Sequence, residues 1–417
     1  MGVYADSSPD AFDDPKVETI VELITRLIGS TIGIVSTAFL ADATPIALAA
    51  HTRRRDLYGP LIDQTLNGVT NYTWTKFNGP DVFFGAGAEQ FIAGSGSYQG
   101  KDYYKEFAKK GYTVSQNKTA LMSAPHTSKA LGVFSISNLP VWLDRNVYTD
   151  NLKNRSNAPD GSKKDALDVP GLKEMTLKAI DVLQARANGS GFFMMSEAAS
   201  IDKQMHALDY DRALGDLLEL DDTVNATIAK LTQMGILKDT LILVTADHGH
   251  GFDVYGSADT KYLSAQQTDR NKREAIGNYQ NSGLSQYTVK NPAISYNTGV
   301  NFPVNWEPRY TLAEGFGAFP DHKENYKVHK SGPRVPATNI TGGSAGEEFF
   351  ANPKDATDGF LVNGTLPVSA SQGVHSLTDV PVYAMGPCAE MFGGVYDNTD
   401  VFFGIANCLG LGRGKPS

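Results

Sequence analysis

An apolar run near the middle of the chain, residues 192–195, is followed closely by Glu197, Asp202, Lys203 and His206. The run predicts a buried strand, and open α/β sheets bind their ligands beyond the carboxyl ends of such strands. Asp202 and His206 are four positions apart, so they share one face if the segment turns helical after the strand. A carboxylate and an imidazole on one helix face can bind the same divalent metal ion. The sequence therefore predicts a metal site at this strand end.

A second apolar run, residues 241–245, leads into Asp247, His248 and His250. Neighbouring carboxylate and imidazole groups reach one metal ion only where the backbone leaves regular structure, which Gly249 permits. By itself such a pair is usually a capping carboxylate beside a hydrogen-bonded histidine. The presence of two such strand ends in one chain favours metal binding instead.

Two further groups of residues suit a phosphate-handling site. Asp42 and Thr44 offer two oxygen donors on one turn, and hard cations such as Mg²⁺ take oxygen ligands. Taken alone, they would be helix-capping residues ahead of Pro45. A helical stretch predicted through His51 to Arg55 ends in a guanidinium group, whose planar fork fits two phosphate oxygens. The alternative for Arg55 is an ordinary surface arginine.

Charge and hydropathy argue against two classes of function. The net charge of −9 disfavours a nucleic-acid-binding surface, because such surfaces need clustered Lys and Arg and the one dense cluster is residues 53–55. The longest apolar stretch, residues 32–50, is interrupted by Asp42 and Pro45, so no membrane span is predicted. An anionic substrate would need local positive charge from metal ions or arginine.

Strands and helices alternate over the first 256 residues, which predicts an α/β fold with a mostly parallel central sheet and helices on both faces. The predicted strands are residues 31–35, 81–84, 133–135, 192–195, 241–245 and 380–385, and the predicted helices are residues 16–28, 102–110, 171–187, 208–235 and a last one from about 397. The longest of these helices is predicted to be amphipathic from its apolar series Leu214, Leu217, Leu218, Val224, Ile228 and Leu231.

The alternation stops for more than a hundred residues after Gly256. Residues 257–370 are rich in Gly, Asn, Pro, Tyr and Lys without long periodic segments, so we predict a long irregular insertion over the active face. The chain is then a single domain, residues 1–417, rather than two. His322 and His329 lie inside the insertion and are interpreted as surface residues.

Sequons and cysteines bear on the cellular compartment. Seven Asn-X-Ser/Thr sequons favour a glycoprotein of the secretory pathway, vacuolar or extracellular, although no basic-then-apolar signal segment follows Met1. These sequons begin at Asn71, Asn117, Asn154, Asn188, Asn225, Asn339 and Asn363. The two cysteines, Cys388 and Cys408, are either one local disulfide or two buried thiols.

Four motifs follow one another in the order of one enzyme family. They are Ser36-Thr-Ala ahead of Asp42-Ala-Thr44-Pro45, Glu197 ahead of Ala-Ser-Ile-Asp202-Lys203-Gln and His206, Thr245-Ala-Asp247-His248-Gly-His250, and Gly373-Val-His375. Together they resemble the alkaline phosphatases, from near residue 2 to the C-terminal helix. The resemblance implies hydrolysis of phosphate monoesters by two zinc ions and one magnesium ion through a phosphoserine intermediate.

The same resemblance implies a role for each matching residue. Asp202, His206 and His375 match the ligands of the zinc that activates water, and Asp247 and His248 match two ligands of the zinc that activates the serine. Glu197 and Thr44 match magnesium ligands, Asp42 a residue that supports magnesium through water, Arg55 the phosphate clamp and Lys203 a lysine that reaches phosphate through water. His250 is interpreted as a residue that orients a ligand carboxylate.

The chain departs from the family pattern at the nucleophile. Neither the family's serine nucleophile nor its bridging aspartate has a counterpart here, since Asp6-Ser7-Ser8 lies too close to Asp42 and lacks the alanine that follows the serine. The first strand of the sheet is missing too, which leaves unpaired strand edges. We therefore expect an N-terminally truncated chain with little or no activity alone. The alternatives are a non-catalytic metal-binding remnant and a phosphodiesterase or sulfatase relative; a homodimer is a further hypothesis.

Overall fold

The computed structural model describes residues 2–5, 8–69, 77–250, 265–268, 270–272, 328–334, 371–376 and 378–412, with six short strands between residues 252 and 361. Most of the predicted insertion, residues 257–370, and His322 therefore lie outside the described residues. Of the described helices, none is both long and apolar enough to span a membrane.

The core of the fold is a five-stranded sheet in which all neighbouring strands are parallel. Its strands are β1 (Thr31–Phe39), β2 (Val82–Ala86), β3 (Tyr112–Ser115), β4 (Lys129–Val133) and β5 (Phe192–Glu197). They lie across the sheet in the order β3-β4-β2-β1-β5. The predicted α/β fold class is thereby confirmed, although β3 was not predicted and β4 lies at residues 129–133 rather than at the predicted 133–135.

Alternate residues of the strands enter two separate apolar clusters, one on each face of the sheet. Ile34 of β1 and Phe83 of β2 belong to one cluster, and their neighbours Val35 and Phe84 belong to the other. Successive side chains of a strand point to opposite faces, so burial on both faces requires an apolar residue at every position. This explains why the strands appear in the sequence as continuous apolar runs.

Helices cover both clusters. They are α1 (Ile20–Leu27), α2 (Ala43–Ala47), α3 (Tyr58–Asn67), α4 (Tyr103–Lys109), α5 (Lys118–Ser123), α6 (Trp142–Asn146), α7 (Leu172–Arg186), α8 (Ser200–His206), α9 (Tyr210–Gln233) and α10 (Asn398–Cys408). The first helix begins at a capping box, in which the Thr19 hydroxyl accepts from the Glu22 amide and the Glu22 carboxylate accepts from the Thr19 amide.

Short antiparallel pairs complete the described part of the chain. Two of them lie near the predicted site: β6 (Ile242–Val244) with β15 (Tyr383–Met385), and β7 (Gly249–His250) with β14 (His375–Ser376). The others are β8 (Phe252–Tyr255) with β9 (Ala313–Phe316), β10 (Lys323–Glu324) with β13 (Phe360–Leu361), and β11 (Thr338–Asn339) with β12 (Phe349–Phe350).

Two strands beside the predicted site have one neighbour each within the described residues. Strand β5 is paired with β1 alone, and β6 is paired with β15 alone. The six residues of β5 are all half-buried, in contrast to the buried residues of β2. An open sheet always has two edge strands, here β3 and β5, so this arrangement does not test the prediction of a missing first strand.

The helical stretch predicted through His51 to Arg55 is wrong. Helix α2 ends at Ala47, and Arg55 lies in the loop before α3. Side chains hold this loop in a turn: the Thr52 hydroxyl donates to the Ala11 carbonyl at 3.1 Å and accepts from the Arg54 amide at 3.0 Å. Such side-chain bonds to the backbone compete with helix formation.

Helix α9 exists where it was predicted, but the first half of its apolar series does not face the core. Leu214, Leu217 and Leu218 are 54%, 48% and 58% exposed, whereas Leu231 near the other end is 2% exposed. The large side chains that α9 buries in its first half are charged: Arg212, Asp216 and Glu219. Ion pairs, among them Arg212 with Asp144 and Glu219 with Arg145, therefore replace apolar packing on this face of the helix.

Three further predictions concern the C-terminal residues and the insertion. Cys388 and Cys408 form a disulfide with a Cα–Cα distance of 5.8 Å, so the alternative of two free thiols is wrong. Strand structure near residues 380–385 is confined to Tyr383–Met385. His329 is half-buried rather than a surface residue, and its carbonyl accepts a hydrogen bond from Arg212 at 2.9 Å.

Candidate metal centre

Helix α8 begins just beyond the carboxyl end of β5 and carries two of the predicted metal ligands. Its N-terminus is held on the sheet because the Ser200 amide donates to the Thr37 hydroxyl of β1 at 3.2 Å. Asp202 and His206 lie one helical turn apart, with 3.5 Å between Asp202 Oδ1 and His206 Nε2. The predicted helix face is therefore formed.

Two histidines face α8 from a short antiparallel pair. His250 of β7 and His375 of β14 lie directly opposite each other in that ladder. Asp202 Oδ1 lies 3.1 Å from His375 Nε2 and 3.3 Å from His250 Nε2, and His206 Nε2 lies 3.2 Å from His375 Nε2. One ligand atom from each of these four residues lies within 4.8 Å of the other three, so the group can surround one metal ion.

The hydrogen bonds and burial of two of these histidines suit a metal ion. His206 Nδ1 donates to the Gly373 carbonyl at 2.7 Å, which leaves the lone pair of Nε2 for the cluster. Burial, followed by the neighbouring His206, lowers the pKa of His250 to about 4, so its ring is neutral at pH 7. Asp202 Oδ1 and both ring nitrogens of His250 are buried without a hydrogen bond from any described residue. Buried polar atoms without partners are costly, and a bound cation would satisfy them.

Asp247 and His248 lie beside this cluster. The ring of His248 stacks on that of His375 with 3.6 Å between the ring centroids. Asp247 Oδ2 lies 3.3 Å from His248 Nε2, and its side chain is 71% exposed. The two residues follow β6 in the chain. They thus offer a carboxylate and an imidazole beside the cluster of Asp202, His206, His250 and His375.

Asp42 brings the two predicted phosphate-binding cations together. It caps α2, and its carboxylate accepts from Lys203 Nζ at 2.7 Å and from Arg55 Nη2 at 2.9 Å. Burial acts to raise the pKa of Asp42, but the charge and hydrogen bond of Lys203, the Ala43 amide and Arg55 outweigh it and lower the pKa. Lys203 is adjacent to Asp202 on α8, so this ion network and the metal cluster share one helix.

Glu197 ends β5 opposite Ser36 of β1 in the parallel ladder. The Ser36 hydroxyl donates to Glu197 Oε2 at 2.5 Å. Burial raises the pKa of Glu197, while hydrogen bonds from Ser36 and Thr44 act to lower it. The side chains of Glu197, Thr44 and Asp42 therefore form an oxygen-rich group next to the ion network, which is the kind of donor set that Mg²⁺ prefers.

The comparisons with known proteins agree with this geometry. Residues 2–411 match the family model described as alkaline phosphatase. This chain belongs to the alkaline phosphatase family. It is 35% identical over 248 residues to alkaline phosphatase H of Pseudomonas aeruginosa (strain UCBPP-PA14), a match that covers 55% of this chain and 51% of that protein. It is 34% identical over 276 residues to the alkaline phosphatase of Escherichia coli (strain K12), covering 62% and 57%.

Other relatives extend the comparison. The streptomycin-6-phosphate phosphatase of Streptomyces griseus is 33% identical over 257 residues, covering 58% of this chain and 56% of that protein. The match thus spans about half the length of these curated relatives. Among solved structures, the alkaline phosphatase of the Antarctic bacterium TAB5 has a TM-score of 0.51 at 18% identity, covering 96% of this chain and 77% of that one. At this identity the likeness shows the fold alone.

Within the alkaline phosphatase frame, the structure brings the predicted site residues into three adjacent groups. The first is Asp202, His206 and His375 with His250; the second is Asp247 with His248; the third is Asp42, Thr44, Glu197, Arg55 and Lys203. The individual roles of these residues remain predictions. His250 was predicted to orient a ligand carboxylate, and it lies near that carboxylate but is also placed as a fourth member of the first group.

Two residues make contacts that the sequence analysis does not assign. Ser36 holds Glu197, and the Gly373 carbonyl fixes the tautomer of His206. Both lie inside motifs that the family resemblance uses. Their contacts, however, join residues 161 and 167 positions apart, so no local spacing could reveal them.

Proposed function

We propose that this chain forms the metal site of a phosphomonoesterase, which hydrolyses small phosphate monoesters. The observation that carries the proposal is the convergence of Asp202, His206, His250 and His375 around buried atoms that have no hydrogen-bond partner among the described residues. The four side chains come from three elements that are far apart in sequence, α8, β7 and β14. Membership of the alkaline phosphatase family supports the reaction class.

We assign two zinc ions and one magnesium ion to the three groups. Asp202, His206 and His375 would hold the first zinc ion, Asp247 and His248 the second, and Glu197 with Thr44 the magnesium ion, which Asp42 supports through water. When bound, divalent ions polarise a phosphoryl oxygen, lower the pKa of water and stabilise the attacking and leaving oxygens of an in-line displacement.

The protein's own cations position the substrate. Arg55 Nη2 and Lys203 Nζ are both held by Asp42, and the Arg55 side chain is 63% exposed, so its guanidinium can still reach an incoming phosphate. A planar guanidinium binds two phosphate oxygens at once, whereas an ammonium group acts as a point charge. Asp42 would thus keep both cations aimed at one position and limit their motion before the substrate arrives.

The proposed reaction also requires a nucleophile, and we assign none in this chain. Ser36 is occupied by its hydrogen bond to Glu197. We accordingly expect metal binding with little or no turnover from the isolated chain. This outcome would correspond to the metal-binding remnant, whereas a phosphodiesterase relative would prefer a diester such as bis-p-nitrophenyl phosphate over p-nitrophenyl phosphate.

The test compares His206→Ala with His126→Ala, which removes an exposed histidine outside the site. Elemental analysis of the purified chain should find about one tightly held zinc ion, because Asp247 and His248 alone give the second zinc only two ligands, and chelator competition should give the affinity of the first. His206→Ala should weaken zinc binding by more than about 100-fold, because loss of an outer partner of a ligand alone costs about 10–100-fold. His126→Ala should leave the affinity unchanged.

Three outcomes would contradict parts of the proposal. Equal zinc affinity in the chain and in His206→Ala would place the metal elsewhere. A chain that binds no divalent ion would remove the metal site altogether. Turnover of p-nitrophenyl phosphate at the rate of a full-length relative would mean that a serine of this chain is the nucleophile, and Ser7→Ala and Ser8→Ala would identify it.

We also propose a glycosylated protein of the secretory pathway, vacuolar or extracellular. Asn117, Asn154, Asn188 and Asn225 are exposed, and the disulfide between Cys388 and Cys408 is stable in an oxidising compartment. Material from the natural source should lose mass on treatment with an N-glycosidase. An unchanged mass would argue against glycosylation.

A homodimer is proposed from the family resemblance alone. Size-exclusion chromatography with light scattering should give twice the chain mass of 44.9 kDa. A monomer at high concentration would contradict this assembly.

A further inference from the structure

The turn between α8 and α9 directly follows the metal-ligand candidate His206. Leu208 in this turn has a φ of +56°, in the left-handed region that side chains other than glycine rarely adopt. A left-handed conformation brings the Cβ of such a residue close to the backbone and is unfavourable. Such a conformation persists only when the surrounding contacts hold it in place.

Backbone bonds make the turn the C-terminal cap of α8. The Leu208 amide donates to the Met205 carbonyl at 3.0 Å, and the Asp209 amide donates to the Gln204 carbonyl at 2.9 Å. These bonds belong to the same helical turn that carries His206. The orientation of the His206 ring therefore depends on the position of Leu208 and Asp209.

Asp209 is the anchor of this turn. It is 1% exposed, and its Oδ2 accepts from Arg212 Nη1 at 3.2 Å and from the Arg334 amide at 2.9 Å. Its Oδ1 caps α9 by accepting from the Arg212 amide at 3.2 Å. Arg334 Nη1 in turn donates to the Leu208 carbonyl at 3.2 Å. Arg212 and Arg334 thus both bond the Asp209 carboxylate, and Arg334 also bonds the carbonyl of the preceding residue, Leu208.

The opposite side of the turn contacts the strand of His375. The Gly373 amide donates to the His206 carbonyl at 2.8 Å, and its carbonyl accepts from His206 Nδ1 at 2.7 Å. A Cβ at position 373 would lie 2.7 Å from the Met205 carbonyl oxygen and 3.0 Å from Leu208 Cδ2. Gly373 and the turn are therefore in close contact, and a shift of the turn would move both His206 and His375.

We propose that Asp209 is a positioning residue of the metal centre: its buried bonds to Arg212 and Arg334 hold the left-handed turn at Leu208 and thereby aim His206 at the metal. The proposal deepens, and rests on, the metal site described above. Asp209 itself is not a ligand in it. Its loss should weaken zinc binding by about 10–100-fold, the range found for outer partners of metal ligands.

Asp144 provides a matched control for this substitution. It is 2% exposed and bonds the same guanidinium from α6, with Arg212 Nη2 at 2.7 Å and Arg212 Nε at 3.2 Å. Its other partner is Asn151, at 2.8 Å. Asp144→Asn and Asp209→Asn therefore remove the same charge beside the same arginine, but Asp209→Asn alone releases the turn.

The experiment uses the full chain and measures zinc affinity by chelator competition, the visible spectrum of the cobalt-loaded protein and the melting temperature. Both variants should lower the melting temperature, because each leaves a buried arginine partly unpaired. Asp209→Asn should in addition weaken zinc binding by about 10–100-fold and alter the cobalt spectrum, which reports ligand geometry. Asp144→Asn should keep the wild-type spectrum and an affinity within about threefold of wild type.

Equal zinc affinities and spectra for the two variants would overturn the positioning role while leaving the metal site intact. If the wild-type chain binds no zinc, the metal site itself is overturned. Should Asp209→Asn fail to fold, Arg334→Met gives a milder test, because it removes the bond to the Leu208 carbonyl and keeps Asp209. It should weaken zinc binding by about 3–10-fold with a changed cobalt spectrum, and an unchanged spectrum would overturn the proposal.

Discussion

The two sides of the central sheet differ in how completely their strands are buried. Eight of the nine residues of β1 and all five residues of β2 are buried, whereas every residue of the edge strand β5 is half-buried, as is every residue of β6, which pairs with β15 outside that sheet. The first side has helices over both faces and paired strands. The second side carries the candidate metal centre at its carboxyl ends. Stability and chemistry are therefore concentrated in different parts of the fold.

The helices show the same contrast. Helix α7 buries an apolar series that includes Met175, Ile180 and Leu183, as a helix packed on a sheet should. Helix α9 instead buries Arg212, Asp216 and Glu219 in its first half. Buried ion pairs add little net stability, because desolvation offsets their attraction, but breaking one is costly. The polar face of α9 therefore defines geometry more than it adds stability, which fits its place beside the candidate metal ligands.

The largest expected effect is on stability: the same substitution, Phe to Ala, should lower the free energy of unfolding more in β2 than in β5. Phe83→Ala in β2 removes a fully buried ring and should lower the free energy of unfolding by about 3–5 kcal/mol. Phe193→Ala in β5 removes a half-buried ring from the same apolar cluster and should cost about half as much. Urea unfolding monitored by circular dichroism measures both values. Equal losses would mean that β5 is as well covered in solution as β2.

The next effect concerns the polar face of α9 and the pH. Burial raises the pKa of Asp216 to about 7, with Arg145 acting against the shift. The folded state therefore binds a proton that the unfolded state releases near pH 4, so this contribution is full below pH 4 and declines until about pH 7. Since one pKa unit corresponds to about 1.4 kcal/mol and the pKa of Asp216 rises from 3.8 to about 7, the decline amounts to about 4 kcal/mol.

Asp216→Asn should remove that pH dependence. Both proteins are unfolded with a chelator present. The free energy of unfolding of the wild type, relative to that of Asp216→Asn, should fall from pH 5 to pH 7 and stay constant above pH 8. Asp222→Asn, at a side chain 67% exposed on the same helix, serves as the control and should show no such change. A pH-independent difference for Asp216→Asn would contradict the raised pKa.

The smallest effect is expected on the exposed apolar face of α9. Leu217→Gln should change the free energy of unfolding by no more than about 0.5 kcal/mol and should reduce binding of a hydrophobic dye. Leu231→Ala on the same helix, where the side chain is 2% exposed, should cost about 2–5 kcal/mol. Thermal and urea unfolding compare the two. A loss for Leu217→Gln as large as that for Leu231→Ala would show that this face is covered in solution.

Sequence patterns sufficed wherever one local rule decided the outcome. The spacing of Asp202 and His206 placed them on one helix face because the helical period alone brings residues four apart together. The apolar runs likewise identified β1, β2 and β5, since strands buried on both faces must be apolar throughout. Prediction failed at Arg55, where Thr52 bonds the backbone and stops the helix, and for the leucines of α9, where buried ion pairs replaced apolar packing.

Tertiary structure alone decided which distant residues meet. His250 lies opposite His375 through a two-residue ladder, and Ser36 lies opposite Glu197 through the register of a parallel pair. Register depends on the packing of the whole sheet and carries no local signal in the chain. The sequence by itself therefore determined the kinds of candidate ligand and the elements that bear them. The fold decided which of them share one centre, because only packing fixes distances between residues far apart in the chain.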